Sequence, residues 1–210
     1  YALPLKPNVL LALTAMATTN VMAQTDVTSK ITNPTLQGSK SSIDGWNVSG
    51  FNDNNGAVIE SYCGAAGKDH VLTQKITLPA GTYKLVGYAF YRQKGAYNNA
   101  PDESHTIMFA GSNSVNVRTL ASELFTNYPD EVGAAAAAFN EGKYRNELVF
   151  SMEKEEEIEI GFKGTHNDNT SWFIAGSVNL EMYGADATSE IVNASFESGL
   201  NGWVNEGFKK

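Results

Sequence analysis

Two short stretches hold most of the residues whose types and spacing could do chemistry. One is Tyr91-Arg92-Gln93-Lys94-Gly95-Ala96-Tyr97-Asn98-Asn99; the other is His166-Asn167-Asp168-Asn169-Thr170-Ser171-Trp172. Each sets aromatic rings beside polar groups. That mixture suits a pyranose, whose apolar C–H patches stack on aromatic faces while its hydroxyls need hydrogen-bonding partners. Arg92, Tyr97, Asn98, Asp168, Asn169 and Trp172 are therefore the candidate ligand contacts, with Tyr97 stacking and Arg92 donating to hydroxyls. The same stretches also serve structure: Asn-rich segments make good turns, and Trp172 also reads as the start of a core strand.

Catalysis finds no comparable support. His70, His105 and His166 have no ligand spacing to one another, and neither a Gly-x-Ser-x-Gly elbow nor a phosphate-cradling loop occurs. A glycosidase needs two carboxylates at a defined separation, which a linear sequence does not supply. The Glu153–Glu159 cluster reads as a solvated turn and strand edge. No catalytic residue, metal ligand or cofactor is assigned, and the expectation is a non-catalytic domain. A net charge of −8 and a pI near 4.9 exclude nucleic acid, which demands a basic footprint. They argue equally against anionic membrane surfaces. Cys63 is the single cysteine, so no internal disulfide closes, and it reads as a small buried strand residue.

These candidates must be positioned by strands. His70–Thr77 alternates apolar and polar residues, Leu78-Pro79-Ala80-Gly81 turns, and Thr82–Tyr91 follows, a pattern that predicts a hairpin. Further strands are expected at Val58–Cys63, Thr106–Ala110, Ser114–Arg118, Asn146–Met152, Glu157–Lys163 and Trp172–Tyr183. Eight or nine short strands imply an all-β, antiparallel β-sandwich or jelly roll. Thr119–Asn127 carries apolar residues at helical spacing, and Ala134–Ala138 predicts a helix starting at Asp130, so a short helical insertion is expected around 119–140.

The chain also repeats a phrase. Thr28-Ser29-Lys30-Ile31, Asn33-Pro34-Thr35-Leu36 and Asp44-Gly45-Trp46 return as Thr188-Ser189-Glu190-Ile191, Asn193-Ala194-Ser195-Phe196-Glu197 and Asn201-Gly202-Trp203. The offset of about 160 residues is the size of a domain and far exceeds the roughly 20–50 residues of a solenoid unit. The expected organisation is a complete domain over 24–185 and the start of a second, truncated copy over 186–210. Upstream, Lys6 precedes the apolar run Val9–Ala17, and Val21-Met22-Ala23 offers small residues before Gln24. Residues 1–23 therefore read as a secretory signal peptide, since the run falls short of the roughly 20 residues that span a bilayer. With Tyr1 rather than Met at its start, the sequence is expected to be a fragment of an exported, multidomain protein, periplasmic, surface-bound or extracellular.

The Asn-Pro-Thr-Leu opening with its Gly45-Trp46, the phrase Leu78-Pro79-Ala80-Gly81-Thr82-Tyr83-Lys84-Leu85, and the closing strand Trp172 to Gly184 together resemble galactose-binding-domain-like jelly rolls. Such carbohydrate-binding-module-like domains recur in secreted and surface proteins of Gram-negative glycan degraders. The resemblance implies that Leu36 begins the first core strand, that Asp44-Gly45 turns the chain, and that Trp46 packs into the sandwich. It also implies a structural calcium held by a Glu on the first strand and an Asp on the last. Here those positions carry Gln37 and the Ala175-Gly176 stretch, so no calcium is expected in the complete domain, whereas the second copy has Glu197. Two functional readings remain open at this point. One is a glycan-binding module acting beside neighbouring domains of the same chain; the other is a spacer or protein-interaction sandwich.

Overall fold

The computed structural model describes residues 24–62, 66–93, 103–125 and 127–183. The expectations for residues 1–23, for 186–210, and for Cys63, Tyr97 and Asn98 lie outside them.

Among the described residues thirteen strands are formed: β1 Gln24–Asp26, β2 Gly38–Ser39, β3 Ser42–Ile43, β4 Asn47–Ser49, β5 Asp53–Asn54, β6 Ile59–Tyr62, β7 Asp69–Leu78, β8 Gly81–Arg92, β9 Thr106–Ala110, β10 Asn113–Asn116, β11 Arg145–Met152, β12 Glu156–Thr165 and β13 Trp172–Tyr183. One sheet runs β11-β8-β13-β6-β5, with β1 also paired to β13; a second runs β10-β9-β12-β7-β4, and β2 and β3 pair as a separate two-stranded sheet. All pairings between named strands are antiparallel. The expected β-sandwich is the fold.

The inward-facing residues explain why the sheets stack. Leu85, Tyr91, Phe173 and Leu180 of the first sheet, and Leu72, Met108, Ile160 and Phe162 of the second, are all fully buried in one cluster. At roughly 25 cal/mol per Å² of apolar surface, each such side chain contributes about 1.5–3 kcal/mol when buried. Trp46 joins that cluster, and its indole N–H donates to the carbonyl of Thr32 at 2.9 Å. Gly45 takes φ +77°, a left-handed conformation that turns the chain into Trp46 at no Cβ penalty.

Three expectations need correction. β7 and β8 do not form a hairpin: β7 pairs with β12 and β4, whereas β8 pairs with β11 and β13. The Pro79-Ala80 connection instead crosses between the sheets, which stack about 10 Å apart. Loop chemistry marks a turn without specifying which sheet receives the next strand. Leu36 is buried as expected, yet it sits in a turn at φ +56° and does not begin a strand. Amide side chains hold that turn: Asn33 donates to the Gln37 carbonyl, and Asn54 donates to the Leu36 carbonyl at 3.0 Å.

The helical insertion is real but shorter than its pattern. It comprises a 3-10 turn at Leu120–Ser122 and a helix, α1, at Val132–Asn140. Leu124 is 91% exposed, so apolar spacing over Thr119–Asn127 does not make a helix there. Ala135, Ala138 and Phe139 dock α1 on the outer face of the first sheet, against Val58, Phe90, Trp172 and Ile174. Among the described residues no helix is long and apolar enough to cross a membrane.

Candidate functional site

Antiparallel register builds the site. Trp172 on β13 lies directly opposite Tyr62 on β6 and Arg92 on β8, so the three form one row across the sheet. Alternation along β6 (Ile59 and Ser61 inward) places Glu60 and Tyr62 on the outer face. That face is where α1 docks, and the start of α1 closes one side of the row. The result is a cleft of about 260 Å³ lined by Glu60, Tyr62, Arg92, Asp130, Glu131, Val132 and Trp172.

The cleft divides into a rigid floor and an exposed rim. Trp172 is 3% exposed, and its indole N–H donates to Glu60 Oε2 at 2.8 Å. The Arg92 guanidinium stacks over the same indole at 4.9 Å from its centroid. Phe90 meets the indole edge-on at 5.0 Å. Tyr62, by contrast, is 50% exposed and is the aromatic surface open to a ligand. Burial pushes the Glu60 carboxyl above its ordinary range, and the nearby Asp53 charge adds to this; the Trp172 N–H and the Arg92 charge oppose it.

Of the candidates read from the sequence, the structure brings Arg92 and Trp172 into one cleft, with Trp172 as its buried floor. Asp168 serves the neighbouring turn, accepting from the Thr170 amide at 2.7 Å and hydroxyl at 2.8 Å. Burial alone would raise its carboxyl, but the hydrogen bonds of Thr170 and Ser171 hold it below the ordinary range. Asn169 is exposed in that turn and does not line the cleft. Glu60, Tyr62, Asp130 and Glu131 escaped sequence reasoning. The alternation Ile59-Glu60-Ser61-Tyr62 could have shown two polar outer-face residues on one strand, but only the register joins them to Arg92.

A wider cleft of about 560 Å³ lies between β10 and β11, lined by Val115, Asn116, Arg118, Arg145, Asn146 and Glu147. Its arginines are engaged: Arg118 pairs with Glu123 at 3.6 Å, and Arg145 pairs with Glu147 and Glu181. Among the described residues, none that lines it is aromatic. Among the described residues no group of three or more His, Cys, Asp or Glu could hold a metal ion.

No protein-family model matches this chain, and no curated protein does. Solved structures do resemble it. A family 61 carbohydrate-binding module in complex with beta-1,4-galactotriose shares 12% identity over 77% of this chain and 88% of that one, with a TM-score of 0.35. A family 4 module gives 14% identity over 66% and 95%, with a TM-score of 0.32. A family 29 module gives 11% over 82% and 97%, with a TM-score of 0.33.

Proposed function

We propose that this domain is a non-catalytic carbohydrate-binding module that holds a glycan in the Tyr62–Trp172–Arg92 cleft. The observation that carries this reading is the row itself: an exposed aromatic, a buried indole and a fixed guanidinium in register on one sheet face. Tyr62 would stack on a sugar face. Arg92 would donate to hydroxyls, while Glu60, Asp130 and Glu131 would accept from them. Strands make the floor rigid, so little ordering cost falls on binding. The reading includes export, with residues 1–23 as secretion signal, and neighbouring domains that carry any chemistry.

A glycan array followed by calorimetry on the full chain tests it. The expected result is binding to a subset of neutral oligosaccharides, weakened by Tyr62→Ala with the fold intact. Absence of binding across the array would leave the domain as a spacer or protein-interaction sandwich.

A further inference from the structure

Directly behind the cleft lies a second row, one residue along each strand. Ser61, Phe173 and Tyr91 face each other on the inner side of the same sheet. Beneath them, on the opposing sheet, His70, Gly164 and Thr106 form a third row. His70 reaches across the glycine to Thr106 Oγ1 at 2.8 Å, and a Cβ at Gly164 would approach the His70 ring at 2.8 Å. His166 fills the space between, 2.9 Å from Ser61 Oγ through Nε2. The two imidazoles lie 4.6 Å apart, His70 stacks on Phe173 at 4.8 Å, and both rings are fully buried. The Nδ1 atom of each has no hydrogen-bond partner.

We infer that His70 and His166 form a proton-operated latch beneath the cleft: protonating either ring unseats the Ser61–Phe173–Tyr91 row and so releases a glycan held on the other face of those strands. This rests on the glycan reading of the cleft. Neutral imidazoles fit this apolar layer, but a buried cation without an anion does not. Lys68 opposes a positive charge on both rings, whereas Asp168 favours one on His166 alone. Asp69 is occupied by the Thr165 hydroxyl, and His105 abuts Tyr91 at 5.7 Å. Across β6, Glu60 and Tyr62 face away from the rings, so the side chain offered there is the Ser61 hydroxyl. Because Ser61 sits between Glu60 and Tyr62, and Phe173 and Tyr91 adjoin Trp172 and Arg92, displacing the inner row moves the outer one.

Amide hydrogen exchange on the full chain between pH 7 and pH 3, corrected for intrinsic rates, tests the latch without any ligand. The expected result is opening that appears first at β6 and the adjoining ends of β8 and β13, with the Nδ1 and Nε2 resonances of His70 and His166 moving over the same range. Calorimetry against β-1,4-linked galacto-, gluco-, xylo- and manno-oligosaccharides should show affinity falling by up to about ten-fold per pH unit for each proton taken up. His166→Gln, which can keep a bond to Ser61, should flatten both responses. Opening that is uniform over all strands, or unchanged by His166→Gln, overturns the latch. Affinity that is constant with pH while β6 opens overturns the release. If no oligosaccharide binds at pH 7, the glycan reading falls and release with it, while the exchange pattern still decides the latch.

Discussion

The indole N–H of Trp172 donates to Glu60 Oε2 at 2.8 Å, joining two residues that stand 112 positions apart in the chain. The bond fixes a carboxyl at the cleft wall and satisfies the only polar atom of a buried ring. It separates two roles that look alike in sequence: Trp172 supports the site, and Tyr62 presents it.

That division predicts contrasting phenotypes. Tyr62→Ala should weaken glycan binding by about 1–2 kcal/mol, as expected for losing an exposed stacking ring, with the melting temperature nearly unchanged. Trp172→Ala should destabilise the domain by about 3–5 kcal/mol through the cavity it leaves. Calorimetry and urea unfolding on both variants check this; a folding defect in Tyr62→Ala would place that ring in the core.

The raised Glu60 carboxyl has a definite sign. Burial disfavours its charged form, so ionisation above the ordinary glutamate value of about 4.5 costs the folded state stability. Glu60→Gln, whose amide oxygen can still accept from Trp172, should therefore be more stable than the parent at pH 7. Its advantage should vanish below pH 4. Urea midpoints at the two pH values are the measurement, and a variant less stable at pH 7 would contradict the assignment.

Acid sensitivity follows from the histidines. Burial, then the mutual approach of the rings and Lys68, holds His70 down to about 3; burial, then Lys68, holds His166 down to about 4. Both values lie below the unfolded value near 6.5, so the unfolded chain binds more protons in acid. Stability is fully present above pH 6.5 and is lost as pH falls from there through the folded values. At pH 5 the loss should be roughly 2 kcal/mol per ring. Unfolding free energies from pH 7 to pH 5 that stay flat would refute this.

Asn33 and Asn54 make a prediction about metal. Their amides already bond the carbonyls of Gln37 and Leu36 in the turn that carries Gln37. A chelator should leave the melting temperature unchanged, because a ligand bound only to the native state raises stability by mass action. Asn54→Ala should cost about 1–3 kcal/mol by stranding a partly buried carbonyl. A drop of several degrees on adding EDTA would show oxygen ligands elsewhere.

What the sequence disclosed follows from physics of different range. Thr106–Ala110 and Trp172–Tyr183 match their strands residue for residue, because alternation and β-branched or aromatic content are local properties. The β7–β8 connection was misread, since a turn's chemistry does not encode whether the chain stays in its sheet. At the site, Arg92 and Trp172 stood out through their polar-aromatic surroundings. Glu60 and Tyr62 did not, because their meeting with Trp172 depends on a register set by contacts more than a hundred residues apart. The three histidines looked unrelated for the same reason.

The position of β13 in the chain also governs how the sandwich can assemble. It is the last strand of the described residues and the middle of its sheet, pairing with β8 on either side of a bulge between Ala175 and Val178, with β6 over Trp172–Ala175 and with β1 over Glu181–Tyr183. Until residue 183 has left the ribosome, β6 and β8 therefore expose unpaired edges with no partner available. Nascent chains stalled before Trp172 should be prone to edge association. The cleft, whose floor is Trp172 on β13, can form only once that strand has emerged.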